Sequence, residues 1–72
     1  MMRMIKNDQE LEVTSGRVAR FQAQLAQLRR TETIAANYHK AASGYLAEID
    51  RMQLEVREYL ELHPSEMDKA AA

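Results

Sequence analysis

Residues 38–59 read YHKAASGYLAEIDRMQLEVREY. Tyr38, Ala42, Tyr45, Ile49, Met52, Val56 and Tyr59 recur in it at spacings of 4, 3, 4, 3, 4 and 3. A heptad seam held over three repeats argues for a helix that packs along its length against another helix. Leu46 and Leu60 widen the seam at two levels. Pro64 sets its limit, because the residue before a proline is biased away from helical angles. The spacing predicts a helix over about 36–62.

His39, Ser43 and Asp50 in the same stretch invite a catalytic reading. His39 and Ser43 are i,i+4 neighbours and can touch. Asp50 lies seven residues beyond Ser43, about 10 Å along a helix axis, too far to orient the imidazole. A triad needs nucleophile–base and base–acid contacts at once. No glycine-bearing nucleophile elbow surrounds Ser43. These side chains therefore read as a solvated helix face, and no catalytic residue is assigned. Ala41, Gly44 and Ala47 form a second, narrow stripe of small residues. A mid-helix glycine costs about 1 kcal/mol relative to alanine, and close approach of another helix would compensate for it.

Upstream, Val18, Phe21, Leu25 and Leu28 follow a 3, 4, 3 spacing. Ala19, Ala23 and Ala26 add helix propensity. Thr14 or Ser15 can cap free N–H groups, with Gly16 at the boundary, and Arg29 and Arg30 suit a C-terminal turn. This predicts a first helix over about 15–30. Residues 31–37 connect the two, with Thr31 and Thr33 as candidate caps and Ile34 as a plug between the helix ends. Such helices would be about 24 Å and about 40 Å long, so the second would overhang the first by about 16 Å. In the antiparallel register Ser15 would face Arg51. The overhang carries Met52, Val56, Tyr59 and Leu60. The lead segment offers Met1, Met2, Met4, Ile5, Leu11 and Val13 to cover it, capped at Asn7 or Asp8.

The chain has 72 residues, room for one small domain. Chains this short usually need a disulfide, a metal or a partner. There is no cysteine, which fits a cytoplasmic location. The two histidines, His39 and His63, have no zinc-ligand spacing. No metal or cofactor is expected, and a partner chain is the remaining staple. No 18-residue apolar run is present. The predicted second helix has an acidic polar face, unsuited to a membrane surface. Carboxylates at i,i+3, such as Glu55 and Glu58, lack a companion histidine and read as a solvated face.

Charge is unevenly distributed. No acid lies between Thr14 and Thr31, where Arg17, Arg20, Arg29 and Arg30 sit, while residues 46–68 hold seven acids against Arg51 and Arg57. A basic first helix beside an acidic second one sets orientation more than stability. The same four arginines are the candidate contacts of an alternative reading, a small dimeric nucleic-acid binder. A net charge of −1 disfavours it, and no complete helix-turn-helix is visible.

IKNDQELEVT, then RVARFQAQLAQL, then EVREYLEL resembles the leader region of bacterial Xre-type helix-turn-helix regulators, which are antitoxin-like. The matching residues are Ile5, Asn7, Thr14, Phe21, Leu25, Leu28, Glu55, Glu58 and Tyr59, spread over most of 5–62. In that family a DNA-binding domain follows the leader; the sequence to Ala72 contains none. No DNA-reading residue carries over. The resemblance implies helical association within a bacterial toxin–antitoxin or regulatory system.

The expectation is thus an all-α chain: a lead segment over 1–13, a two-helix antiparallel hairpin over 14–63, and a flexible tail over 64–72. Two hairpins would dimerise into a four-helix bundle. The interface is expected at Tyr38, Ala41, Gly44, Tyr45, Ile49, Met52, Val56 and Tyr59. The expected function is non-enzymatic protein–protein interaction, with self as the partner and another protein as a further candidate. A subunit of a larger helical assembly is the third reading.

Overall fold

The computed structural model describes residues 5–66. Two helices account for most of them: α1, Asp8–Thr31, and α2, Ala35–Leu60. They pack as an antiparallel hairpin. Phe21 meets Tyr45, and Asp8 meets Tyr59, so the two helices run in opposite directions from a short connection.

Helix α1 begins well before the Thr14–Gly16 boundary that the sequence predicts. Asn7 is the N-cap, and its side chain accepts from the Glu10 N–H at 2.8 Å. The Glu10 carboxylate in turn accepts from the Lys6 N–H at 2.8 Å. The two bonds satisfy two donors near a helix start, in the manner of a capping box shifted back by one residue. Asp8 and Glu10 in the first turn also suit the positive end of the helix dipole. Thr14, Ser15 and Gly16 then lie inside a continuous helix. A mid-helix glycine costs about 1 kcal/mol, too little to outweigh a capped start and the packing of the added turns.

The consequence is a matched pair. Helix α1 has 24 residues and α2 has 26 residues. Each is therefore roughly 40 Å long, and the overhang disappears. No separate lead arm folds back over residues 5–13; α1 itself covers the far end of α2. Ile5, just before the cap, is 2% exposed and Leu11 is half-buried, whereas Val13 points away at 60% exposure. The expected contribution of Met1, Met2 and Met4 lies outside the described residues.

The connection is 32–34 rather than 31–37. Glu32 ends α1 by donating its N–H to the Leu28 carbonyl, and its carboxylate accepts from the Ile34 N–H at 3.1 Å. Ile34 occupies the N-cap of α2 without a side-chain cap bond. It is 56% exposed, so it does not plug the helix ends. Thr31 donates to the Leu28 carbonyl within its own helix.

Val18, Ile49 and Met52 form the buried cluster, with Phe21 packed against it. Phe21 reaches Tyr45 edge-to-face, centroids 5.8 Å apart. Such pairs add about 0.5–1.5 kcal/mol beyond area burial. Ala42 and Tyr59 are also buried. At its C-terminal end α2 stops at Leu60, just short of the expected limit. Residues 64–66 are again helical, where a flexible tail is expected from the sequence. Pro64 opens that segment, a position where its missing N–H costs nothing. The His63 N–H donates to Glu66 at 3.0 Å, and the Ser65 N–H donates to His63 Nδ1. The rest of the expected tail, 67–72, lies outside the described residues.

Candidate interaction surface

All seven seam residues of α2 lie on its side facing α1. Ala42, Ile49, Met52 and Tyr59 are buried, and Tyr38, Tyr45 and Val56 are half-buried. The remaining two expected interface residues, Ala41 and Gly44, are exposed and lie off this seam. A Cβ at Gly44 would meet nothing within 4 Å. Among the described residues, no close helix approach explains that glycine.

Tyr59 makes the one hydrogen bond between side chains far apart in sequence among the described residues. Its hydroxyl donates to Asp8 Oδ1 at 2.6 Å. The bond to a carboxylate, with burial and the Asp8 charge adding, raises the tyrosine pKa above its usual value, because each disfavours the phenolate.

The two flanks of the hairpin differ in chemistry. One holds an open groove of about 680 Å³ between the first half of α1 and the second half of α2. Glu10, Val13 and Arg17 line one side, and Arg51, Met52 and Glu55 the other. Arg51 bridges Glu48 at 2.6 Å and Glu55 at 3.1 Å along this edge. Its hydrogen bond and charge hold the Glu48 carboxyl below the usual carboxylate pKa, and the same bond raises Arg51. Both shifts favour the charged forms.

The opposite flank bears one ion pair, Arg57–Glu61. On α1 it presents Ser15, Ala19, Gln22, Ala26 and Arg29, spaced 4, 3, 4, 3, and on α2 His39, Leu46, Gln53 and Leu60, spaced by sevens. All nine are exposed. The same spacing also takes in Glu12 on α1 and Asp50 on α2. Leu46 is 47% and Leu60 63% exposed, high values for leucines that flank a core seam.

Charge separates along the hairpin rather than between its helices. The early start of α1 adds Asp8, Glu10 and Glu12 to the helix expected to be basic. Around the open end, residues 5–13 and 54–66 hold seven carboxylates against Lys6 and Arg57. Around the connection, residues 21–45 hold Arg29, Arg30 and Lys40 against Glu32. The three ion pairs among the described residues all lie within α2 and its C-cap Glu61, so the expected pairing of α1 arginines with α2 acids is not formed. Arg51 and Arg57 pair instead with Glu48, Glu55 and Glu61, each one turn away on the same helix. Arg17 and Arg20 share one side of α1, while Arg29 is turned about 120° from Arg17, so the four arginines make no single stripe.

The serine–histidine contact does not form. The Ser43 hydroxyl donates to the Lys40 carbonyl at 2.9 Å, and the His39 ring packs edge-on against Tyr38. Among the described residues no three His, Asp or Glu side chains are grouped to hold a metal ion. No helix among them is long and apolar enough to cross a membrane.

These features define a two-helix antiparallel hairpin with a salt-bridged groove on one flank and two exposed leucines on the other. No protein family, curated protein or solved structure matches the chain.

Proposed function

We propose that this chain is a non-enzymatic oligomerisation module that associates with itself as a homodimer, two hairpins forming a four-helix bundle. The observation that carries this reading is the thin core. Val18, Ile49 and Met52 form the buried cluster, while Leu46 and Leu60 stay in water beside the seam. A single helix pair gives each helix one neighbour, and a core this small rarely stabilises a short chain by more than about 3–5 kcal/mol. Leu46 is 47% and Leu60 63% exposed, so covering each with a second hairpin contributes about 1–2 kcal/mol more.

The similarity of residues 5–62 to Xre-type leaders fits the same role, association of helices within a bacterial antitoxin-like or regulatory protein. Light scattering on the full chain tests the proposal. At micromolar concentration the expected mass is twice the 8.3 kDa of one chain. A folded monomer at that concentration rejects it.

A further inference from the structure

We infer that the second copy docks on the flank bearing Leu46 and Leu60, with the two hairpins antiparallel. The inference rests on the homodimer reading and adds the face and the orientation.

The face follows from desolvation. The groove flank carries the Glu48–Arg51–Glu55 ladder, and the Ala41–Gly44 stripe runs into it. Covering that edge with another protein would strip water from three charges whose mutual attraction only partly compensates. On the opposite flank the same operation buries two exposed leucines, two alanines, a serine and two glutamines, with Arg29, His39, Asp50 and Arg57 beside them. The alanines at 19 and 26 let a second backbone come close, and the leucines project far enough to fill the gap.

The orientation follows from the charge gradient. A parallel arrangement would put seven carboxylates against seven at one end and two clusters of Arg29, Arg30 and Lys40 together at the other. An antiparallel one sets each basic end against an acidic end. Repulsion between like-charged patches selects orientation even where single pairs contribute little to affinity. Two exposed apolar residues, Leu60 and Ile34, suit this arrangement, while Val13 and Leu54 lie outside it. Leu60 lies at the open end and Ile34 at the connection, both in water. They are separated by nearly the full length of α2, roughly 40 Å. A twofold axis across the middle of the flank lays α2 of one copy antiparallel over α2 of the other. That overlap brings the Leu60 of each hairpin to the Ile34 of the other. Leu46, midway between them, meets its own counterpart close to the axis, and Ala19 does the same on α1.

Spin labels on a single introduced cysteine read the orientation, since the chain has no cysteine of its own. Labels on Glu61→Cys are expected roughly 40 Å apart across the dimer, one helix length. A short separation with the dimer intact overturns the antiparallel arrangement and leaves the homodimer reading standing. Leu46→Asp reads the face. It is expected to convert the dimer to monomer with its helical circular dichroism retained, whereas Val13→Asp, in the groove, leaves the mass unchanged. The reverse pattern overturns the choice of face. A wild-type chain that is monomeric removes the homodimer reading, and this inference with it.

Discussion

The Tyr59 hydroxyl donates to Asp8 Oδ1 at 2.6 Å, joining residues 51 apart in the chain. It ties the first turn of α1 to the last turn of α2 and so closes the open end of the hairpin. Helix ends fray most readily, and a side-chain tie there holds both ends at once. Tyr59→Phe keeps the buried ring and removes the donor. Amide exchange should quicken over residues 8–12 and 55–60 while the region around Val18 and Ile49 changes little. Uniform quickening along both helices would show that the bond supports the whole hairpin instead.

The same bond carries a pH dependence whose sign is fixed. The tyrosine pKa is raised in the folded chain, so the neutral hydroxyl is the form the fold favours. Its contribution is fully present below the unfolded value of about 10 and is lost as pH rises through the folded value. Glu48 behaves oppositely, because Arg51 lowers its pKa. That contribution is present above the unfolded value of about 4.3 and is lost as pH falls through the folded value. The Glu48 side chain is half-exposed, so solvent keeps the acid-side effect small. An NMR titration of Tyr59 should show its midpoint falling in Asp8→Asn; an unmoved midpoint contradicts the assignment.

Ile49 sits in the buried cluster at 4% exposure. Ile49→Ala should cost about 2–5 kcal/mol, comparable with the whole stability of so small a chain. Thermal unfolding followed by circular dichroism should show little or no folded baseline. The Ser43 hydroxyl, by contrast, bonds only its own helix. Ser43→Ala should stay within about 0.5 kcal/mol of the wild type.

Gly16 and Gly44 both lie in helix interiors, and a Cβ at either meets nothing within 4 Å. Each Gly→Ala change should therefore stabilise the hairpin by up to about 1 kcal/mol. If Gly44→Ala instead weakens the dimer, a second chain packs against that stripe and the docking face moves to the groove side.

Asn7→Ala removes the side-chain acceptor for the Glu10 N–H. A loss of about 1 kcal/mol is expected, with α1 shortened from its N-terminal end. Unchanged melting together with unchanged exchange over 8–12 would place the helix start elsewhere.

Much of the hairpin is legible in the residues. The seam from Tyr38 to Tyr59 turns toward α1 at every position, because a 4, 3 spacing keeps side chains on one face whatever the neighbour is. The start of α1 is misread for a local reason. Thr14, Ser15 and Gly16 resemble a helix boundary, but Asn7-x-x-Glu10 upstream is the stronger start signal, Asn7 accepting from the Glu10 N–H and Glu10 from the Lys6 N–H. The i,i+3 and i,i+4 spacing of Glu48, Arg51 and Glu55 also announces the ladder along one flank. Complementary charge on two helices is a weaker guide, since a partner one turn away on the same helix competes with any across the interface.

From local rules alone the sequence specified two amphipathic helices, their antiparallel order and the side of α2 that faces inward. Periodicity and helix propensity act over a few residues and need no partner. Tertiary packing decided that α1 covers α2 back to Asp8, that Ile34 stays in water, and that charge runs along the hairpin instead of between its helices. Those outcomes depend on which atoms meet across the interface. The 2.6 Å contact between Asp8 and Tyr59 exists only once both helices have their full length and lie in register.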